Sequence, residues 1–370
     1  MSPSKLRTRA ATSPPAFLVR AVLALRRGLL RAADAVVPPQ LVLYHQASGL
    51  GRTHALRAFV RLGIADRLEE GPRTAAELAT ATGADPDALA RLLRALATER
   101  LLRRDATGRF HGTRLSRALT TGATTSFAAF TDYFGSSSNA AAWADFEATV
   151  RSGRNAFERV HGMSVWAWFE RHPEEREAFA AAMAALTELE APRLAQLYPF
   201  DEIGCLCDVG GGRGTLLAAI LARHAGLRGM LVDAAGVLAA ARPFLAERGV
   251  LDRVELVAGS FFDSVPPGAD AYLLKNVLHD WDDERCRSIL ERCRAAMASG
   301  RRLLLVEDVV ETDTVTGLGP LVDLQMMTVC SEGRERSRAE YHRLLAGAGF
   351  ALRRVFAGGA GSHILEWVAV

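Results

Sequence analysis

The chain has 370 residues, enough for two domains with separate cores. It is 49% hydrophobic and 24% charged with a net charge of +3, which describes a soluble globular protein and gives no strong nucleic-acid affinity from charge alone. The five cysteines (Cys205, Cys207, Cys286, Cys293, Cys330) form neither a C-x-x-C pair nor a cysteine–histidine cluster, so no metal is expected and free thiols in a reducing cytoplasm are.

The first 33 residues hold seven Lys/Arg and no acid. Their apolar stretch, Phe17 to Leu30, is interrupted by Arg20, Arg26 and Arg27. It therefore matches neither a signal-peptide core nor a membrane span. Leu18, Val22, Leu25 and Leu29 share one helical face, with Arg20, Arg27 and Arg31 on another. A helix of this kind can lie on a membrane surface. The favoured expectation for residues 1–40 is a partly disordered start running into an accessory or dimer-packing helix.

Residues 41–120 read as a helical unit ending in a hairpin. Thr74-Ala75-Ala76-Glu77 is a capping box, and Asp85-Pro86-Asp87 opens the next helix, which buries Leu89, Leu92, Leu93 and Leu96. Leu101 to Arg104, the turn Asp105-Ala106-Thr107-Gly108, and Arg109-Phe110-His111 form a β wing. Winged helices usually bind DNA. Here Arg73, Arg91 and Arg94 are balanced by Glu77, Asp85 and Asp87, and the helix begins acidic, so packing and dimerisation are expected instead.

Residues 121–200 are helical and rich in aromatics, with Phe157 and the run His161-Gly162-Met163-Ser164-Val165-Trp166-Ala167-Trp168-Phe169. Two readings fit: plain core, or the wall of a pocket for a flat aromatic substrate. Phe157, Met163 and Trp166, together with Met326, are assigned to that pocket.

From 201 to 370 strands and helices alternate. Strands are predicted near 203–209, 229–233, 253–257, 270–275 and 301–308, and a closing hairpin pairs 350–356 with 363–369 across Ala357 to Ser362. This describes a doubly wound, mostly parallel sheet with an antiparallel edge strand. After the first strand comes Asp208-Val209-Gly210-Gly211-Gly212-Arg213-Gly214-Thr215. A strand, a glycine turn and a helix bring a nucleotide-like ligand against bare backbone. A dinucleotide fingerprint read from Gly210 and Gly212 needs a third glycine where Thr215 stands. The leading Asp208 suits a cationic ligand such as S-adenosylmethionine (SAM), and Asp233, ending the next strand, is placed for ribose hydroxyls. Gly210, Gly212, Gly214, Asp208 and Asp233 are the cofactor residues on this reading.

The fourth of these strands leads into Lys275-Asn276-Val277-Leu278-His279-Asp280-Trp281-Asp282. Ligands bind at that edge in such sheets. A phenol has a pKa near 10 and needs a base if it is to be a nucleophile at neutral pH, a task suited to His279. Glu307, ending the fifth strand, is placed to hold the imidazole tautomer, as is Glu335.

These residues resemble the SAM-dependent O-methyltransferases shared by plant caffeate and flavonoid enzymes and bacterial antibiotic-tailoring enzymes. The matching segments are Asp208 to Gly214, Val232-Asp233, Gly259-Ser260-Phe261-Phe262, Leu274 to Trp281, Glu307-Asp308 and Gly333-Arg334-Glu335-Arg336-Ser337. The resemblance covers residues 40–370. It implies a Rossmann-like class I methyltransferase domain of seven strands behind a winged-helix dimerisation domain. It further implies that Asp233 binds the ribose, that Ser260 and Phe261 flank the adenine, that Lys275 contributes to the cofactor site, and that His279 is the base flanked by Glu307 and Glu335. The N-terminal domain would make a homodimer and help close the partner's pocket. Many members carry an acid where Ser260 stands, so the resemblance implies a hydroxyl or a water at the adenine in its place. The expected function is O-methylation of an aromatic secondary metabolite in the cytoplasm by a homodimer without nucleic-acid or membrane-spanning partners. The alternatives are a winged-helix regulator responding to a ligand, or a SAM-binding relative performing hydroxylation or decarboxylation.

Overall fold

The computed structural model describes residues 16–123, 125–311, 313, 318–357 and 362–370. The chain opens with the helix Ala16–Ala35, whose Phe17, Val22, Leu25 and Leu29 are 57–67% exposed. The basic residues before Ala16 lie outside the described part. Among the described residues no helix is long and apolar enough to cross a membrane.

The helical unit and its wing form as their caps dictate. Thr74 and Glu77 make the reciprocal capping box of Ala75–Thr82, and the Asp85 side chain accepts from the Ala88 amide at the start of Pro86–Thr98. The second helix buries Leu89, Leu93 and Leu96, while Leu92 is half-buried. Strands β1 (Leu102–Arg104) and β2 (Phe110–Gly112) pair antiparallel. Asp105 closes their turn by accepting from the amides of Thr107 and Arg109. Phe59, Ile64, Leu78, Leu93 and Phe110 form the core of this unit.

Five short helices between Ala128 and Arg171 then lead into the long helix Pro173–Leu197. They bury Tyr133, Phe157, Val165 and Phe169 against one another.

The remaining seven strands are β3 (Cys205–Val209), β4 (Arg228–Asp233), β5 (Val254–Ala258), β6 (Ala271–Lys275), β7 (Arg302–Glu307), β8 (Phe350–Phe356) and β9 (His363–Ala369), and each predicted strand is present. They form one sheet in the order β5-β4-β3-β6-β7-β9-β8. The hairpin closes the sheet as expected, with one refinement: β9, which runs against its neighbours, lies one position inside the edge, and β8 is outermost. The burial of the two strands accounts for this. β9 carries Ile364, Leu365 and Trp367 fully buried, whereas β8 exposes most of its length. Of the predicted connection Ala357 to Ser362, residues 358–361 lie outside the described part.

Both faces of the sheet are covered, which is why its central strands are apolar throughout. On one face Tyr272, Leu274, Leu303 and Leu305 pack on Cys286, Ile289, Leu290 and Tyr341. On the other, Leu273, Leu304 and Val306 pack on Leu217, Ile220 and Leu194. All five cysteines are free thiols. The strand order reverses between β3 and β6, so the crevice of the sheet opens at their carboxyl ends.

Candidate active site

The glycine turn follows β3 directly. Gly210 has φ +70°, and a Cβ there would lie 3.1 Å from Val277 and 3.2 Å from Phe261. Only a bare backbone allows the turn, the loop after β6 and the Phe261 ring to meet at this point. The Gly212 amide donates to Asp233 Oδ2 at 2.9 Å, and Gly214 caps the helix Thr215–Arg223. Asp233 thus orders the turn as well as ending β4, and its other oxygen accepts from the Ala234 amide at 2.7 Å. Burial pushes its pKa up. Asp208 is 1% exposed, and its Oδ1 has no hydrogen-bond partner among the described residues. Burial and the Asp233 charge push its carboxyl up to about 7, against the opposing charge of Lys275.

Two further assigned positions border this cup. Lys275, at the end of β6, pairs with Glu190 at 2.8 Å. The segment at Ser260 is tied to Asp233 by the Gly259 amide donating to the Asp233 carbonyl at 3.1 Å. Ser260 itself is exposed, whereas Phe261 leans over the turn. Asp308, at the end of β7, is pushed up to about 6 by burial and by Glu335 and Glu190. Carboxylates therefore outnumber the one lysine, an orphaned buried carboxylate oxygen among them. Such a cup fits a ligand carrying an amine and a sulfonium and fits a pyrophosphate poorly.

The loop after β6 is held from beneath. Asn276 takes a left-handed backbone (φ +50°), and Leu278–Asp280 forms a single 3-10 turn. Arg336 is fully buried and donates to the carbonyls of Leu278 (2.8 Å) and Trp281 (2.7 Å) and to Asp283 Oδ1 (2.8 Å). The Arg334 amide donates to the His279 carbonyl at 2.8 Å. Gly333 allows this approach, because a Cβ there would stand 2.7 Å from the His279 carbonyl oxygen.

On this loop His279 is 8% exposed, and its Nδ1 lies 2.8 Å from Glu335 Oε1 and 3.8 Å from Glu307 Oε2. Glu307 Oε1 accepts from the amides of Val277 (3.1 Å) and Leu278 (2.9 Å). The two glutamates predicted at the histidine therefore divide the work. Glu335 holds the ring, and Glu307 holds the loop while adding negative charge. Burial pulls the imidazole pKa down, but Glu307, Asp280 and Glu335 outweigh it and push it up to about 10. Asp280, whose Oδ1 lies 3.6 Å from His279 Nε2, is itself pushed up to about 6 by burial. The donor atoms of His279, Glu307 and Glu335 fall within 4.8 Å of one another, near enough for a cation to bridge, and the His279–Glu335 hydrogen bond uses the same atoms.

The assigned pocket residues are placed unequally. Trp166 stacks on Trp281 at 5.4 Å, which joins the helices before the sheet to the histidine loop. Phe157 is fully buried beside His161 (ring centroids 4.3 Å apart) and Trp168 (5.9 Å). Met163 and Met326 are half-buried, the latter on the helix Gly319–Val329. Sequence reasoning did not single out Asp280, Glu190 or a buried polar chain in which Trp143 Nε1 donates to Gln325 Oε1 (2.8 Å) and Gln325 Nε2 donates to Asn139 Oδ1 (3.1 Å). A usable signal was Gln325 standing among apolar neighbours on its helix.

The chain is similar to known proteins over most of its length. The profile of the O-methyltransferase domain matches residues 143–351, and that of the O-methyltransferase dimerisation domain matches residues 44–122. The mitomycin biosynthesis 6-O-methyltransferase of Streptomyces lavendulae is 37% identical over 85% of this chain and 89% of its own length. The crystal structure of LaPhzM superposes with a TM-score of 0.87 at 36% identity, covering 90% of this chain and all of that one. That of NcsB1, from neocarzinostatin biosynthesis and in complex with SAM and 2-hydroxy-5-methyl naphthoic acid, gives 0.73 at 35% identity, covering 86% and 96%. With its dimerisation domain and its carboxylate-lined glycine turn, this chain belongs to the SAM-dependent O-methyltransferase family.

Proposed function

We propose that the enzyme methylates a phenolic hydroxyl of an aromatic secondary metabolite, with His279 as general base. The observation that carries this reading is the buried His279–Glu335 hydrogen bond on the loop beside the glycine turn. SAM, when bound, supplies a methyl group already activated by positive charge. Asp208, Gly210, Gly212, Gly214, Asp233, Phe261 and Lys275 would hold it, and Ser260 would offer at most a hydroxyl. The remaining work falls to the chain: orienting the acceptor and removing its proton. Glu335 accepts from Nδ1–H, which leaves Nε2 to take the phenolic proton. The raised affinity of His279 for a proton matches that of a phenol, so transfer between them is nearly balanced.

Trp166 beside Trp281 supports a pocket for a flat ring, and we assign Phe157, Met163 and Met326 to the rest of its wall. The 2,7-dihydroxy-5-methyl-1-naphthoate 7-O-methyltransferase of Streptomyces carzinostaticus, 36% identical, and NcsB1 in complex with 2-hydroxy-5-methyl naphthoic acid support the same class of acceptor. The dimerisation domain supports a homodimer, and a cytoplasmic site of action goes with the free thiols. Phosphate binding by the winged unit is disfavoured because its charges pair internally, Arg109 with Glu77 and Arg73 with Glu70.

Replacing the base tests the reading. His279→Ala should lower turnover of a phenolic acceptor by about 10²- to 10⁴-fold while SAM still binds. Full activity in that variant, read by mass spectrometry of the methylated product, would remove His279 from this role.

A further inference from the structure

The helix Pro173–Leu197 changes partners along its length. Ala182 packs in the core of the pocket helices, whereas Ala191, Leu194 and Ala195 pack under the sheet. Pro192 lies inside the helix at this change. Proline has no N–H to donate to the Glu188 carbonyl, and helices bend where that bond is missing.

Two side chains next to this break leave the helix for the cofactor cup. Glu188 pairs with Arg213 of the glycine turn at 2.8 Å and with Arg248 at 3.1 Å. Glu190 pairs with Lys275 at 2.8 Å and accepts from the Ser362 hydroxyl at 2.9 Å. The Glu190 and Lys275 side chains are 20% and 9% exposed, so water screens this pair poorly and losing one partner is costly. One stretch of helix thereby grips the loop after β3 and the end of β6, the two sides of the crevice. Toward its N-terminus, on the same side of Pro192 as both glutamates, this helix places Ala182 in the core of the pocket helices.

We propose that Glu190 is a positioning residue that holds Lys275 at the cofactor edge of β6 and, through the break at Pro192, couples cofactor binding to ordering of the pocket helices. A charged ligand entering the cup changes the field at Lys275 and Arg213 together. Both are tied to the same turn of helix, so an arrangement of that turn that keeps both ion pairs would bind the ligand differently from one that releases them, which is what coupling requires. The inference rests on the cofactor assignment and is independent of the acceptor's identity.

The test is hydrogen–deuterium exchange of the full-length protein with and without SAM, beside calorimetry of SAM binding. In the native protein SAM should slow exchange across residues 128–190. In Glu190→Gln the affinity for SAM should fall about tenfold, and the slowing across 128–171 should be largely lost, with Glu190→Asp restoring part of both. In Pro192→Ala, which keeps both carboxylates, affinity should stay within about threefold while the slowing shrinks. Native affinity and native slowing in Glu190→Gln would overturn the proposal, and so would a lowered melting temperature with both SAM responses intact. Absence of SAM binding by the native protein would instead strike the cofactor assignment itself.

Discussion

At the scale of single residues the site is a contest between burial and charge. His279 keeps its proton because three carboxylates outweigh the cost of burying an imidazolium. On the proposed mechanism, the resting pair of protonated His279 and neutral phenol must lose one proton before transfer. kcat/KM is therefore expected to rise with pH through the neutral range, by about tenfold per unit, and to level off near the lower of the two pKa values. Glu335→Gln removes one of the charges that raise His279. The rising limb should then move to lower pH and the maximum should fall, and a limb that stays in place would show that Glu335 does not act on the ring. Asp233 works at two points, the Gly212 amide and the expected ribose hydroxyls. Asp233→Ala should weaken SAM binding by about 10- to 100-fold, the worth of a charged hydrogen bond, and unchanged affinity by calorimetry would count against its role. Asp208 and Asp233 could be picked from the sequence because each sits at a strand end, and His279 because it stands on the loop after one, each with chemistry that its neighbours do not share. Glu190 could not, since its partner Lys275 is 85 residues away and the pair exists only once the long helix lies against the sheet.

At the scale of elements, the strands were legible because a sheet covered on both faces makes its strands continuous apolar runs. The caps were legible because they are local, as Thr74 with Glu77 shows. The packing of the pocket helices was not, because helical spacing places Phe157 on a face without saying which element covers that face. The histidine loop shows how elements far apart in sequence determine one another's shape. Gly333 leaves room for the His279 carbonyl, 54 positions earlier in the chain, and Arg336 secures the same turn from below. Gly333→Ala is expected to cost about 1–3 kcal/mol of stability through overpacking, read as a lower melting temperature. It should also lower turnover more than SAM affinity, because it displaces His279 and leaves the glycine turn alone. An unchanged melting temperature would show that the loop can yield.

At the scale of the whole molecule, the helix Ala16–Ala35 adjoins the unit that matches the dimerisation domain and leaves its apolar side bare. A bare apolar face next to a dimer-forming unit is most economically covered by the second subunit. Replacing Leu25 and Leu29 together by glutamate is expected to weaken the dimer by about tenfold or more, measured by sedimentation, with the melting of the catalytic domain unchanged. An unaltered monomer–dimer equilibrium would show that this helix takes no part in assembly. The β8 edge of the sheet is built differently. Outermost strand β8 is bulged between Leu352 and Arg354, and its Arg353 and Arg354 fold onto the buried Glu366 of β9. A kinked, positively charged edge offers no template for another strand. The bulge and the two arginines therefore guard the β8 edge against strand-to-strand addition by crowded copies of the enzyme.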